Sequence, residues 1–150
     1  MITSFIFALF ATLGFSIIFH VPYRHIPVAA LIGGLGWVTY QLCISQSSSV
    51  MFSCFLAACA VGFLSDIASR ILKDAATVFI IPGILCLVPG SGIYNTMVEL
   101  VDGRLDQAAK LGSQTLMMAG SIALGLLVIG AMIKIIVAVM RRAKNIARKL

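Results

Sequence analysis

Side chains able to do chemistry are few in this sequence. Its two histidines, His20 and His25, fall in one short polar break. No paired carboxylates, Ser-His-Asp set or His-Glu-x-x-His pattern accompany them, so no enzyme activity, cofactor or metal is expected. The cysteines Cys43, Cys54, Cys59 and Cys86 lie in apolar surroundings without Cys-x-x-Cys spacing, which suits small packing groups rather than ligands. Gly90-Ser91-Gly92 lacks the rest of a Rossmann or P-loop pattern and carries no nucleotide signature.

What remains is an interrupted apolar run. Residues 75–101 are long enough to cross a bilayer, yet Pro82-Gly83 and then Pro89-Gly90-Ser91-Gly92 fall inside them. Proline removes a backbone donor and glycine frees the backbone, so a regular helix cannot continue. In lipid, the interrupted backbone must be buried in protein or line a watery cavity. The segment Ile93-Tyr94-Asn95-Thr96-Met97 then reads as a new half-helix near the bilayer midplane, with Ser91 as its cap. Its first turn would present unpaired N–H groups and the positive end of the helix dipole, which is how several transporter folds hold a carboxylate.

The expected substrate-binding set is therefore Pro89, Gly90, Ser91, Gly92, Tyr94, Asn95 and Thr96, for a small carboxylate or an amino acid. The alternative is a proline kink closed by neighbouring helices, its polar side chains only mending the backbone. Two acids are candidates for ion coupling. Asp66 lies four residues before Arg70, so the two can equally form an interfacial ion pair. Glu99 lies about 12 Å beyond the break along a helix, and also reads as an outer-interface group.

The elements that must position these residues follow from the apolar pattern. Hydrophobic residues make up 61% of the chain and charged ones 11%, where a soluble domain carries about 25% charged residues. With a mean hydropathy of +1.09, lipid is the solvent that suits this surface. The expectation is an all-α, polytopic membrane protein of about five transmembrane helices, the fourth broken at residues 89–92. Spans are expected at 2–19, 28–44, 50–68, 75–101 and 111–140, with a mixed loop at 102–110. The first lacks the basic start and cleavage site of a signal peptide and reads as a retained helix. Gly33, Gly34 and Gly36 on the second, and Cys54, Ala58 and Gly62 on the third, form small-residue faces for close helix contact. Residues 1–140 form the transmembrane domain and 141–150 a basic tail.

Charge sets the orientation. With the tail inside, the inner segments hold Arg24, Arg70, Lys73, Lys134 and the five basic tail residues, and the outer ones only Arg104 and Lys110. Nine against two obeys the positive-inside rule in every loop. The N-terminus is then outside and the C-terminus cytoplasmic, in the cell membrane, with Lys134 snorkelling toward the tail. The tail reads as a segment that meets anionic lipid, and no nucleic-acid binding is expected.

The run Ile81-Pro82-Gly83-Ile84 through Leu87-Val88-Pro89-Gly90-Ser91-Gly92-Ile93-Tyr94 resembles the proline-glycine signature of the threonine/serine exporter family. The run Leu13-Gly14-Phe15-Ser16-Ile17-Ile18-Phe19-His20-Val21-Pro22 is similar to that family's C-terminal domain. In size the chain resembles the small subunit of the split version, whose bacterial members include a two-component succinate exporter. The resemblance implies a five-helix half of a secondary exporter for threonine, serine or a dicarboxylate such as succinate, working with a larger exporter-domain membrane subunit. A homo-oligomer and a non-catalytic assembly or scaffold subunit stay open as alternatives.

Overall fold

The computed structural model describes residues 2–46 and 49–147, with side chains through Val139. The described residues form six helices and no strand: α1 (Ile2–Ile18), α2 (Ile26–Ser45), α3 (Val50–Leu72), α4 (Thr77–Leu85), α5 (Gly90–Val101) and α6 (Leu105–Ala147). Helices α2, α3 and α6 are long and apolar enough to cross a membrane alone. Helices α4 and α5 pass that test only as a pair, bent by 51° across a short break. The apolar α1, at 17 residues, extends about 25 Å, the lower end of a spanning length. The chain is a polytopic helical membrane protein, as its apolar runs require.

Helices α1 to α4 make a bundle whose interior is small and hydroxylated, while its large apolar residues face outward. Ala29, Ala57, Ala58, Val61 and Phe79 are fully buried, and so are Thr12, Ser16, Ser53 and Ser65. Phe7, Phe10, Ile18 and Ile71 are each more than 60% exposed. That distribution is the one lipid selects, since greasy side chains gain nothing by leaving it and close packing holds the helices together. Thr12 and Ser16 return their hydroxyls to the carbonyls of Ala8 and Thr12, both at 2.8 Å, so neither costs an unpaired polar group.

The small-residue faces lie in these contacts. A Cβ on Gly33 would sit 2.9 Å from Cβ of Thr12, and one on Gly36 would sit 2.4 Å from Cγ2 of Val61. Gly62 faces Ile129, and Gly125 faces the backbone of Phe55 and Cys59, so α3 and α6 run parallel with almost no side chain between them. Cys54 and Ala58 join the same core.

Two boundaries differ from the sequence expectation. Helix α3 stops at Leu72 because Lys73 takes the left-handed conformation (φ 57°). The helix thus runs four residues past the span expected at 50–68, and Asp74 lies beyond its end. The mixed loop expected at 102–110 is a three-residue turn. Gly103 is left-handed (φ 75°), the Gly103 N–H reaches Leu100 O and the Arg104 N–H reaches Glu99 O, a glycine C-cap that lets α6 begin at Leu105. Helix α6 is thus 43 residues long, about 64 Å, and continues through part of the basic tail. The tail's side chains lie outside the described residues.

Candidate functional site

The interruption of the fourth span covers residues 86–89 and overlaps the expected break only at Pro89. Helix α5 begins at Gly90, three residues before the expected start, with Pro89 as its N-cap and no side-chain cap. Ser91 is therefore not the cap. Proline is well tolerated at a helix start, where its missing N–H has no partner to lose. The backbone around the break is also better satisfied than expected. The N–H of Gly90 bonds Val88 O at 2.8 Å, and those of Gly92 and Ile93 share Pro89 O at 3.1 and 3.2 Å. Few donors are left for an anion.

The break is anchored to α1 by Cys86, whose apolar surroundings in the sequence suit packing alone. Cys86 Sγ lies 2.9 Å from Thr12 Oγ1 and 3.6 Å from Ala8 O. Beside it is a cavity of about 390 Å³ walled by Phe7, Ala11, Phe15 and Trp37, with Ser4 and Cys86 as its polar members. Its lining suits an apolar group, not a carboxylate.

The expected binding residues do not converge. Helix α5 packs on α6 alone and has no buried residue. Ser91, Tyr94 and Asn95 are exposed, Tyr94 at 69%. Gly92 and Thr96 instead lock α5 to α6. A Cβ on Gly92 would lie 2.4 Å from Thr115 Oγ1, and one on Gly112 would lie 3.2 Å from Thr96 Cγ2, so each threonine faces a glycine of the other helix. Both hydroxyls bond back to their own helices, Thr96 to Gly92 O at 2.7 Å and Thr115 to Leu111 O at 2.8 Å. Pro89 and Gly90 form the turn that leads into this pair. From Gly125, which faces Phe55, to Thr115 is about 15 Å of α6, so the α5–α6 pair extends past the start of α3 as an arm outside the bundle.

The two acids part company. Glu99 pairs with Arg104 on the turn that closes the arm, and Arg104 also meets Asp102 at 2.7 Å. Glu99 foremost, with Asp102, holds the Arg104 guanidinium above its ordinary pKa. Asp66 accepts from Arg70 Nε at 2.5 Å, the i,i+4 pair the spacing allowed. It also shares a cavity with a cation from elsewhere in the chain. Two adjoining cavities of about 200 and 420 Å³ open between α3 and α6, and Asp66, Ile133 and Lys134 line both. Arg70 borders the larger one, and Gly62, Leu126, Ile129 and Gly130 wall the smaller. The sequence predicts for Lys134 only a snorkelling role. Its signal was depth: on parallel helices, Asp66 and Lys134 each stand near the basic end of an apolar run.

At the same end His25 Nε2 lies 3.0 Å from Asp74 Oδ2, with the ring edge-on to Phe79 and Nδ1 buried without a partner. This contact ties the start of α2 to the turn before α4. No group of three or more metal-ligand side chains exists among the described residues.

A helical bundle with a hydroxylated core and a bent broken span defines a polytopic helical membrane protein. The chain belongs to the threonine/serine exporter (ThrE) family, which matches residues 4–132. An uncharacterized protein of Haemophilus influenzae (strain ATCC 51907 / DSM 11121 / KW20 / Rd) is 29% identical over 96 residues, 64% of this chain and 32% of its own. The chain thus spans about a third of the length of the curated relative it matches, and that relative is twice as long. No solved structure matches.

Proposed function

We propose that this chain is one subunit of a secondary exporter of small amino acids, threonine and serine foremost, with small dicarboxylates such as succinate as the further substrate class. The family match over residues 4–132 carries the reading. A larger exporter-domain membrane subunit supplies the rest. Two observations support that partner: the relative of twice the length, and an arm whose α5 has no buried residue. The basic end, with Arg24, Arg70 and Lys73, faces the cytoplasm, the basic tail meets anionic lipid there, and the N-terminus is outside. Export proceeds by alternating access, driven by an ion gradient. The break and the arm, with Pro89, Gly90, Ser91, Gly92, Tyr94, Asn95 and Thr96, bear on the substrate only once the partner covers them.

Efflux of preloaded threonine, serine and succinate is measured from cells expressing the chain alone, then with the exporter-domain subunit. Efflux only with both is expected. Efflux by the chain alone would point to a homo-oligomer and remove the need for the partner.

A second reading, a scaffold subunit whose partner holds the substrate, is favoured by the use of Gly92 and Thr96 in α5–α6 packing. Replacing Ser91 and Asn95 by alanine separates the two. Both are exposed and make no contact that the fold needs, so complex yield should stay unchanged. A fall of tenfold or more in efflux is expected from the transport reading, and unchanged efflux from the scaffold reading.

A further inference from the structure

We infer that the cleft between α3 and α6 at the basic end binds a small zwitterion of the α-amino-acid class. Asp66 faces its ammonium group, and Lys134 and Arg70 face its carboxylate. The inference rests on the exporter reading and gives it a recognition site away from the break. Lys134 is 19 residues from Thr115, about 28 Å along α6, so this site and the arm stand at opposite ends of that helix.

Three observations carry it. The first is convergence: Asp66 and Lys134, from helices far apart in sequence, line both cavities of one continuous cleft. Ionisable groups within apolar spans are costly and mark substrate paths when they meet in a cavity. The second is sign. Asp66 gives one oxygen to Arg70 and keeps the other, the terminal nitrogens of Arg70 make no ion pair, and neither does Lys134 among the described residues. A bare anion would leave the free oxygen of Asp66 without a cation, and a bare cation would face both Arg70 and Lys134. A ligand carrying both charges gives each of the three an opposite partner, its ammonium for Asp66 and its carboxylate for Lys134 and Arg70.

The third is the wall. Ile80, Leu126, Ile129 and Gly130 give the inner 200 Å³ a largely apolar wall, which strengthens charge recognition while leaving room for a short side chain. Asp66 and Arg70 keep 24% and 48% of their side chains exposed, so the cleft can be entered. The same ammonium-plus-anion chemistry exists in an ethanolamine lipid headgroup, and the experiment separates the two sources.

The full chain, purified in detergent, is tested by calorimetric titration with four probes. These are threonine, 3-hydroxybutanoate (threonine without its ammonium group), 1-amino-2-propanol (threonine without its carboxylate) and glycerophosphoethanolamine. Threonine is expected to bind at least tenfold more tightly than each of the others. Asp66→Asn should abolish the preference over 3-hydroxybutanoate, Lys134→Gln the preference over 1-amino-2-propanol, and Asp66→Glu should retain the first. A merely structural role would weaken all probes alike and leave these ratios unchanged. Threonine bound equally by the parent chain and both variants overturns the site and leaves the exporter reading intact, as does absence of binding in a chain whose cells still export with the partner. Glycerophosphoethanolamine bound in preference to threonine overturns it in favour of a lipid. Absence of both binding and efflux overturns the exporter reading with it.

Discussion

Gly125→Ala is expected to destabilise the protein by about 2 kcal/mol or more, the cost of forcing an extra group into a closed contact. The added Cβ would lie 2.7 Å from the carbonyl oxygen of Phe55 and 2.9 Å from Cβ of Ala58. Neither is the free end of a side chain, so α3 and α6 must move apart as whole helices. Their separation also weakens the contact of Cys59 Sγ with Gly125 O at 3.4 Å. Gly120 on the same helix provides the control. Nothing lies within 4 Å of a Cβ there, so Gly120→Ala should stabilise slightly, by up to about 1 kcal/mol, through the better helix propensity of alanine. Thermal unfolding in detergent reads both, and equal shifts would show that α3 and α6 do not close at Gly125.

Gly33→Ala is the second large effect, also about 2 kcal/mol, and it reaches the break. Its Cβ would meet Oγ1, Cγ2 and Cβ of Thr12 at 2.2, 2.7 and 2.9 Å. Thr12 cannot rotate away cheaply, because it is fully buried and its hydroxyl is held between Ala8 O and Cys86 Sγ. Pushing it aside frees Cys86, so the residue should become more reactive to a maleimide as well as the protein less stable. Thr12→Ala in the same chain removes the two atoms with the shortest contacts and should restore part of the stability, though not the hold on Cys86. An undisturbed melting temperature in Gly33→Ala would sink the argument.

Much of the fold was legible because lipid imposes a simple rule: a spanning helix needs a long apolar run. Residues 28–44 and 50–68 announced α2 and α3 on that basis, and the glycines between Gly33 and Gly36 announced a close contact. Where charges returned, the reading weakened. Asp102 to Lys110 looked like a loop, yet one left-handed glycine ends α5 and the charged residues after Arg104 form the first turns of α6. Proline misled in the same way: Pro89 reads as a breaker, but the helix it precludes is the one before it. The candidate site was less legible still. Pattern shows that α5 has polar residues at Ser91, Asn95 and Thr96, but not that α6 covers Thr96 alone and leaves Ser91 and Asn95 exposed. The cleft joins Asp66 to Lys134 across the chain, and only the parallel packing of α3 on α6 brings them level.

That packing has a mechanical side. Helix α6 is one uninterrupted rod that touches α5 toward one end and α3 toward the other, with its tightest seat at Gly125. From Gly125 it is about 15 Å to Thr115 in one direction and about 14 Å to Lys134 in the other. The arm and the cleft are therefore borne by one unbroken helix, so a load on α5 reaches the element that carries Lys134 with no loop between them to absorb it.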